Sequence, residues 1–351
     1  MSTDQEARSA EQPEPVQSAS SSPHEEMVRQ ALAVLSGDPK YRVFRAPTRK
    51  VFQEEVPPGL PVVRCLLVDA QASGVDSEHA PLLEVAALPV TIGRVDGHVY
   101  RVGRPCVMFN DAGTSVPDAV VRRTGITDRM VRGHKLSPAP FAAMIAQCDA
   151  VVAFNAAFDR PLLERYIPQF ETVPWLCAYS EIDWTAHGLL DGSLESLCAR
   201  HAKVYLPVRR SVAHVDAMLD LVTAPWQDGT LPIVSLFDAG RKMRALIWAP
   251  NTRFEANDAL RDRLYRFHQC KTLGRGWYAY ISPAAVTDEM KWLGQTIYGG
   301  RLPTNVRAVP VGARIRHASL ARVLRDASTT YLQSHQPSHV LPAAEHSPVA
   351  A

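Results

Sequence analysis

The stretch Val151-Val-Ala-Phe-Asn-Ala-Ala-Phe-Asp-Arg-Pro161 decides the fold that this sequence predicts. Its apolar start, residues 151 to 154, is typical of a short buried strand. Asn155 follows at the N-cap position, where its side chain can accept a hydrogen bond from a free amide at a helix start. The predicted helix carries Asp159 in its first exposed turn, and a carboxylate beyond the end of a strand lies where α/β proteins place their chemistry. An acidic residue in a first turn also stabilises a helix through the helix dipole alone, so both interpretations remain open here.

Length and charge indicate a chain of two domains with a polyanionic partner. The chain has 351 residues, of which 46% are hydrophobic, enough for two cores. Its formal net charge of +2 is unevenly distributed. Residues 1–26 hold six acidic residues against one Arg, whereas residues 241–325 hold 16 Lys or Arg against five acidic residues, a net of +11. Because aromatic residues are interleaved in this basic segment, we favour a nucleic-acid partner over an ordinary solvated surface.

The cysteines and the apolar segments indicate the cellular compartment. The six cysteines form no C-x-x-C pair and have no His at the spacing of a zinc site. Most of them lie in apolar runs, where a free Cys packs as a small hydrophobic residue. The sequence contains no apolar signal-peptide core and no run of 18 apolar residues. We therefore expect a cytoplasmic protein without a membrane partner.

Composition divides the chain into five parts. Residues 1–24 are rich in Ser, Glu, Gln and Pro and are expected to be a disordered tail. Residues 25–60 are expected to form a helix, over Glu26 to Leu35, and a connector in which Tyr41 to Phe44 could be a strand. The main domain is expected over residues 61–225 and a basic α+β module over residues 236–320, whereas residues 326–351 predict a loose tail.

Apolar patterning predicts a sheet in the main domain. Val62 to Val68 is a near-continuous apolar run typical of a central strand, and the polar residues from Asp69 to Gly74 predict a turn after it. Leu82 to Ile92 and Val99 to Val102 predict two more strands in a meander. Helices are predicted near residues 140–147, 193–199 and 212–222. In the module, the sequence predicts strands at 244–248 and 277–281 and helices at 254–265 and 284–298.

Three acidic residues follow these elements in order: Asp69 at a strand end, Asp159 at a helix start, and Asp216 on the last helix of the main domain. Mg²⁺ and Mn²⁺ prefer carboxylate oxygens, and a pair of such ions stabilises the attacking and leaving oxygens of phosphoryl transfer together. The three residues therefore suggest a two-metal site, although their spacing alone is a weak signal.

The sequences around these residues resemble the DnaQ-like DEDD 3′–5′ exonucleases, in particular their bacterial branch. The resemblance is carried by residues 62–74, Leu82-Leu-Glu-Val-Ala86, Thr124-Gly-Ile-Thr-Asp128, residues 151–164 and Trp175-Leu-Cys177. Residues 244–298 also resemble a C-terminal module that some bacterial members carry. The resemblance implies an α/β fold, with an RNase H-like mixed sheet flanked by helices and a small α+β C-terminal module. It also implies Mg²⁺ or Mn²⁺ as the cofactor.

The catalytic motifs of that family are only partly present. Asp69 matches the first Asp of the motif D-x-E, Asp159 matches the second-motif Asp, and Asp216 matches the last Asp of the motif H-x-A-x-x-D. The resemblance makes these three residues the expected metal ligands. Gln71 stands where the family has its metal-binding Glu, and Ser211 stands where it has its general-base His.

Both departures weaken the expected chemistry. Gln71 removes one of four formal negative charges, so that divalent ions are expected to bind weakly. A positioned general base contributes about 10²–10⁴-fold to rate, and Ser211 without a neighbouring base cannot supply this. His214 lies two residues before Asp216, about 200° around a helix, and is therefore expected to point away from the site.

Two other charged residues near the motifs carry predictions. Glu84, within the second strand, is as consistent with a solvated edge position as with support of the site. Arg160 is expected to pair with Glu164, one helical turn further on.

Together these observations predict a nucleic-acid-binding protein of the DNA replication or repair type. It is expected to bind single-stranded 3′ ends or a replication or repair protein, with its 3′–5′ exonuclease activity lost or weakened. A working metal-dependent 3′–5′ exonuclease and a protein-interaction scaffold remain the alternatives.

Overall fold

The computed structural model describes residues 22–49, 51–190, 192–270 and 272–330. Contacts divide the chain into two units, Met1–Phe44 and Arg45–Ala351. The first unit contains the helix α1 (Pro23–Gly37), which the sequence predicted over a shorter range. It begins with a capping box, because Ser22 Oγ accepts a hydrogen bond from the Glu25 amide and Glu25 Oε2 accepts one from the Ser22 amide.

Two expectations for the N-terminal region change. Residues 1–24 were expected to be disordered, and of these residues 1–21 lie outside the described residues. Residues 23 and 24 belong to α1. The strand expected at Tyr41 to Phe44 does not form. Only the adjacent Arg45 makes a bridge, with Val204.

The main sheet of the second unit contains seven strands among the described residues. They are β1 (Phe52–Gln53), β2 (Val62–Ala72), β3 (Leu82–Gly93), β4 (Val99–Val102), β5 (Cys106–Phe109), β6 (Ala150–Ala153) and β7 (Trp175–Cys177). Their order is β1-β4-β3-β2-β6-β7, with β5 beside β3. The meander β2-β3-β4 is antiparallel, whereas β6 runs parallel to β2 and to β7. The strand β2 therefore lies centrally in a mixed sheet.

The strand β2 extends beyond its predicted end. A polar turn was expected from Asp69, but the strand continues to Ala72, with Asp69 opposite Ala86 and Gln71 opposite Glu84 of β3. Backbone pairing with a neighbouring strand overrides the weak strand preference of these polar residues. The strands β1, β5 and β7 were not predicted, since each has four residues or fewer.

Helices cover both faces of this sheet. They are α2 (Asp118–Thr124), α3 (Asp128–Val131), α4 (Ala139–Ile145), α5 (Ala156–Glu164), α6 (Ala178–Glu181), α7 (Leu194–Leu197), α8 (Ser211–Thr223) and α9 (Pro232–Arg241). Leu67 packs with Met218 of α8 on one face, and Leu66 packs with Leu162 of α5 on the other. The predicted fold class, an α/β RNase H-like mixed sheet flanked by helices, is thereby confirmed.

The basic C-terminal segment forms a second, antiparallel sheet. Its strands are β8 (Arg244–Pro250), β9 (Arg266–Cys270), β10 (Gly274–Ile281) and β11 (Arg307–Val311), in the order β11-β8-β10-β9. Its helices are α10 (Asn257–Asp262), α11 (Val286–Trp292) and α12 (Leu320–Thr330). Short 3₁₀ or π segments lie at Pro168–Thr172, Thr185–His187, Cys198–Ala202, Phe254–Ala256, Pro283–Ala285 and Leu293–Ile297. The two predicted strands are present as β8 and β10. The predicted helix over residues 254–265 is shorter and corresponds to α10, and the strands β9 and β11 were not predicted.

The second sheet belongs to the same compact unit as the first. The Trp175 amide of β7 donates to the carbonyl of Ala313, 2.9 Å away. Arg160 of α5 is fully buried and donates to the carbonyls of Arg314 and Arg316 at 2.7 and 2.8 Å. The loose tail expected from residue 326 is a helix as far as Thr330, and residues 331–351 lie outside the described residues. No helix in the described ranges is both long and apolar enough to cross a membrane.

Candidate active site

Three polar side chains of the candidate site share one face of the sheet. Successive residues of a strand point to opposite faces, so Asp69 and Gln71 of β2 lie on the same face as Leu67. That face is covered by α8. Glu84 of β3 pairs directly with Gln71 in the strand register and lies on this face too.

Gln71 takes part in the site as a hydrogen-bond donor. Its Nε2 donates to Asp69 Oδ2 at 2.8 Å, and the side chain is largely buried. A carboxylate at this position would place a second negative charge beside Asp69. The carboxamide instead donates a hydrogen bond to one oxygen of Asp69.

The helix α8 presents His214 to Asp69. Its apolar residues, among them Val215 and Met218, pack against the sheet and set the rotation of the helix. His214 Nδ1 then lies 3.0 Å from Asp69 Oδ1. Asp216 lies about 200° around the helix from His214, as predicted from the helical period. The helix nevertheless turns His214 toward Asp69, and the expectation that His214 points away from the site is wrong.

Asp216 interacts with a basic residue of the connector that precedes the main sheet. Arg49 Nη2 lies 3.0 Å from Asp216 Oδ2, and the carboxylate side chain is only 10% exposed. One turn further on, Arg45 donates to both oxygens of Asp220. Burial raises the pKa of Asp216, and the ion pair with Arg49 opposes this increase. Arg45 and Arg49 of the connector thus neutralise two carboxylates of α8.

Glu84 is fully buried and is neutralised by Arg210. Arg210 Nε lies 3.0 Å from both carboxylate oxygens of Glu84, and the Ser211 amide donates to Oε2 at 2.9 Å. The Arg210 guanidinium also lies over the ring of Phe109, with 5.1 Å to the centroid. Of the two interpretations of Glu84, the solvated edge position is wrong. The Glu84 carboxylate fixes the position of the first residue of α8 through its contacts with Arg210 and the Ser211 amide.

Asp159 approaches the same strand from the other face of the sheet. Its Oδ1 accepts a hydrogen bond from the Ala70 amide of β2 at 3.1 Å, and the residue is 4% exposed. The first turn of α5 is therefore buried rather than exposed. Burial, together with the nearby charge of Asp69, raises the pKa of Asp159 well above its ordinary value.

Asn155 occupies the N-cap position of α5, but its side chain makes no capping hydrogen bond. Its backbone carbonyl accepts from the amides of Phe158 and Asp159 at 2.8 and 3.1 Å. The expected side-chain cap is therefore replaced by these backbone hydrogen bonds. The predicted ion pair between Arg160 and Glu164 is confirmed, with 2.6 Å between Nε and Oε1.

The structure joins Asp69 to Gln71 and His214 by hydrogen bonds. It places Asp159 against the Ala70 amide of the same strand and pairs Asp216 with Arg49. Ser211 lies at the start of α8, fully buried, and its hydroxyl has no hydrogen-bond partner. Within the described ranges, no group of three or more His, Cys, Asp or Glu side chains is arranged to hold a metal ion. As they stand, the residues do not fit the pair of divalent ions that the resemblance implies.

The electrostatics of the site favour internal ion pairs. Burial lowers the pKa of His214, but the charge and hydrogen bond of Asp69 outweigh it, so that the net shift is upward. A protonated His214 pairs with Asp69 and cannot accept a proton. Its Nε2 is buried and without a hydrogen-bond partner. The arrangement places His214 within ion-pair distance of Asp69.

Two basic residues at this site, Arg49 and Arg210, were not predicted from the sequence, and His214 was predicted to point away from it. Arg49 lies 167 residues from Asp216 in sequence, and Arg210 lies 126 residues from Glu84. A local signal existed only for His214, as a polar residue on the otherwise apolar face of α8.

Comparison with known proteins finds similarity at the level of structure alone. No family model matches the sequence. No characterised protein matches it either. Exonuclease X, solved in complex with 5′-overhanging duplex DNA, is 16% identical, with 49% of this chain and 99% of that chain covered and a TM-score of 0.34.

Two structures of exonuclease I are also similar to this chain. The Escherichia coli enzyme in complex with a dT13 oligonucleotide is 14% identical, with 82% of this chain and 75% of that chain covered and a TM-score of 0.40. A product-bound exonuclease I is 16% identical with a TM-score of 0.39, and the match spans about half of its length, 51%. At these TM-scores the similarities carry no weight for function, which depends on the site itself.

Proposed function

We propose that this chain is a nucleic-acid-binding protein on an exonuclease-like fold, with 3′–5′ phosphodiester hydrolysis lost or weakened. It binds single-stranded 3′ ends, or a protein of DNA replication or repair, and uses the former active site as part of the binding surface. Asp69, Asp159 and Asp216 are its remnant metal ligands, and Gln71 and Ser211 replace the family Glu and His.

The neutralisation of the site carboxylates by the chain's own side chains carries this proposal. Glu84 is paired with Arg210, Asp216 with Arg49, and Asp69 with His214. Asp159, buried against a backbone amide, favours its neutral form. Hard divalent ions are held mainly by carboxylate charge, so these contacts remove what a Mg²⁺ or Mn²⁺ ion would bind.

The surface of the second sheet supports a nucleic-acid partner. The Arg263 guanidinium lies 4.1 Å from the ring centroid of Trp292, and that of Arg261 lies 5.6 Å from Trp277. Phe254 and Phe267 are 83% and 53% exposed. Trp277 is buried, but these two exposed Phe residues line one cleft together with Arg261 and Arg275. Exposed aromatic rings beside arginines are typical of surfaces on which bases of a single strand stack. Part of the basic charge is internal, however, because Arg160 and Arg316 are buried.

A working metal-dependent 3′–5′ exonuclease is the second candidate, and one observation favours it. His214 lies at the site, so an imidazole is available where Ser211 leaves the family position without one. If a divalent ion displaced His214 from Asp69, the released imidazole would be free to accept a proton from water. This role requires a bound ion and a neutral His214 together.

The experiment that separates the candidates measures binding and degradation on one preparation. We expect a 5′-labelled single-stranded oligonucleotide to bind with strong salt dependence. Degradation with Mg²⁺, and then with Mn²⁺, should not exceed that of the matched variant Asp159→Asn. Metal-dependent degradation that disappears in Asp159→Asn would establish the enzyme instead. The variant also controls for a contaminating nuclease, since a contaminant would act equally in both preparations.

The preference for 3′ ends has its own control. An oligonucleotide with its 3′ end closed in a hairpin should bind more weakly than the same single strand with a free 3′ end. Equal binding of both would contradict recognition of the end. If neither oligonucleotide binds, nucleic-acid binding itself fails and the protein-interaction scaffold becomes the better proposal.

A further inference from the structure

A polar cleft separates the helix α5 from the second sheet and contains a buried histidine with an unused nitrogen. The cleft has a volume of about 310 Å³ and is lined by Asn155, Phe158, Arg266, His268, Tyr280 and His317, among others. This volume is at the lower end of the range of about 300–1,000 Å³ for small-molecule sites. None of the five residues predicted for the candidate active site lines it.

His317 is held at the end of the cleft by a buried carboxylate. Its Nε2 lies 3.3 Å from Glu181 Oε1, and its side chain is 4% exposed. Glu181 is buried too and accepts hydrogen bonds from Arg316 and from the Cys177 amide. Its surroundings therefore keep Glu181 ionised, although burial alone would favour its protonated form; its pKa falls to about 2.

The contact with Glu181 determines the tautomer of His317. An ionised carboxylate only accepts hydrogen bonds, so Nε2 must carry the hydrogen. Burial lowers the pKa of His317 from its ordinary value of 6.5 despite the hydrogen bond to Glu181, so the imidazole is neutral at pH 7. Nδ1 is then an acceptor, and it is buried without any hydrogen-bond partner. An unpaired buried polar atom costs free energy, and a donor on a ligand would satisfy this one.

The backbone of His317 is also held in an uncommon conformation. Its φ is +67°, in the left-handed region that non-glycine residues rarely adopt. Its amide donates to the Tyr280 hydroxyl at 3.4 Å, and the two rings are 5.7 Å apart. Strained residues of this kind persist where surrounding contacts impose them, often at ligand sites. His317 is thus positioned by both its side chain and its backbone.

The remaining side chains of the cleft restrict the class of ligand. Phe158 and Phe267 contribute aromatic rings, and Arg266 contributes a cation. In the described part of the chain, no carboxylate lies within 4.0 Å of the Arg266 guanidinium, which packs over the ring of Tyr179. Asp76 and Glu78 line the cleft as well and would repel further negative charge. A flat ring with a hydrogen-bond donor and a single phosphate matches this combination.

We propose that this cleft binds one nucleotide, as a nucleoside monophosphate or the terminal unit of a strand, with a base N–H donating to His317 Nδ1 and the phosphate near Arg266. The site deepens the proposed nucleic-acid binding and rests on it for the ligand class. It adds a base-recognition site outside the residues that match the exonuclease motifs.

The first test observes His317 directly in the wild-type chain. Nitrogen-15 NMR of the imidazole should show an unprotonated Nδ1, and its signal should shift saturably with at least one of dAMP, dCMP, dGMP and dTMP. Ribose 5-phosphate, which lacks the base, should leave the signal unchanged. A signal that none of the four nucleotides shifts would overturn the proposal. So would an equal shift with ribose 5-phosphate, which would indicate a phosphate site only.

Two variants test the separate contacts by calorimetry. His317→Asn keeps a residue that tolerates positive φ and should weaken binding of the monophosphate by about tenfold, since it loses the ring nitrogen that contacts Glu181 and with it the fixed position of the acceptor. The matched control His187→Asn, outside the cleft, should bind as the wild type does. Arg266→Gln should weaken binding of the monophosphate and leave that of the corresponding nucleoside unchanged. The ratio of monophosphate affinity to nucleoside affinity therefore tests the phosphate contact even if His317→Asn does not fold. If Arg266→Gln leaves this ratio unchanged, the proposal is contradicted.

The two proposals fail in distinguishable ways. If oligonucleotides do not bind but a mononucleotide shifts the His317 signal, the cleft is supported and the proposed function is not. If oligonucleotides bind with strong salt dependence and no mononucleotide shifts the signal, the proposed function stands and the cleft proposal is overturned.

Discussion

His214 Nδ1 lies 3.0 Å from Asp69 Oδ1, the carboxylate that the sequence predicted as a metal ligand. Both side chains are largely buried, at 12% and 13% exposure, so water screens their attraction little. A divalent ion must therefore compete with an internal partner that is already in place. This relationship, together with the hydrogen bond from Gln71, occupies both oxygens of Asp69 with partners from the chain itself.

Gln71→Glu should restore part of the affinity for divalent ions. The new carboxylate would lie beside Asp69 and opposite Glu84, so we expect a lower melting temperature in chelator, caused by like-charge repulsion. Mg²⁺ or Mn²⁺ should reverse this loss, with binding at least about tenfold tighter than in the wild type. Calorimetric titration and thermal unfolding measure both effects. Gln147→Glu on the surface is the control, and equal metal affinity in both variants would contradict the prediction.

Arg210→Met should destabilise the chain far more than Arg209→Met. Removing Arg210 leaves the fully buried Glu84 without its cation, and a broken buried pair costs roughly 3–5 kcal/mol. Arg209 pairs with Glu195 at the surface, where such pairs contribute about 0–1 kcal/mol. Urea unfolding of both variants gives the two free energies. Similar losses would mean that Arg210 does not stabilise Glu84 as described.

The lowered pKa of Glu181 predicts that the folded state loses stability in acid. Burial opposes its ionisation, but the hydrogen bond and charge of His317 and the charge of Arg316 lower its pKa from 4.5 to about 2. The folded state therefore stabilises the ionised form of Glu181 more than the unfolded state does. The stabilisation is complete above pH 4.5 and is lost as the pH falls toward about 2.

Glu181→Gln tests this dependence. The variant should be less stable than the wild type at pH 7, because Arg316 loses its buried counter-charge, by roughly 3–5 kcal/mol. It should also lose less stability than the wild type between pH 4.5 and pH 2. Chemical unfolding at a series of pH values measures both. Glu171→Gln, at an exposed pair with Arg322, should behave as the wild type. Parallel pH curves for wild type and Glu181→Gln would contradict the assignment.

Removal of residues 236–351, which deletes the C-terminal module, should unfold the main sheet that remains. The truncation deprives the buried Arg160 of its carbonyl acceptors in residues 313–316 and Glu181 of Arg316. It also removes Leu236 and Phe237 from the core that covers β2. Circular dichroism and amide exchange should show loss of the strands β6 and β7. A truncated chain that unfolds cooperatively near the wild-type temperature would show that the main domain is independent.

Local patterns were sufficient to predict the strands that carry the site. The apolar runs of β2, β3 and β6 and the amphipathic helix α8 are encoded over a few residues, so their existence and approximate bounds followed from the sequence. Short strands such as β7 were missed because three residues hold no recognisable period. The polar end of β2 was misjudged because its pairing with β3 supplies hydrogen bonds that the local sequence does not reveal.

By itself, the sequence determined the mixed α/β architecture and the positions of Asp69 and Asp159 beside its central strand. Only the tertiary structure decided that His214 faces Asp69 and that Arg49 and Arg210 neutralise Asp216 and Glu84. The reason is physical: the rotation of α8 is set by how its apolar residues pack on the sheet. The three ion pairs join residues between 126 and 167 positions apart, a separation at which no local pattern remains.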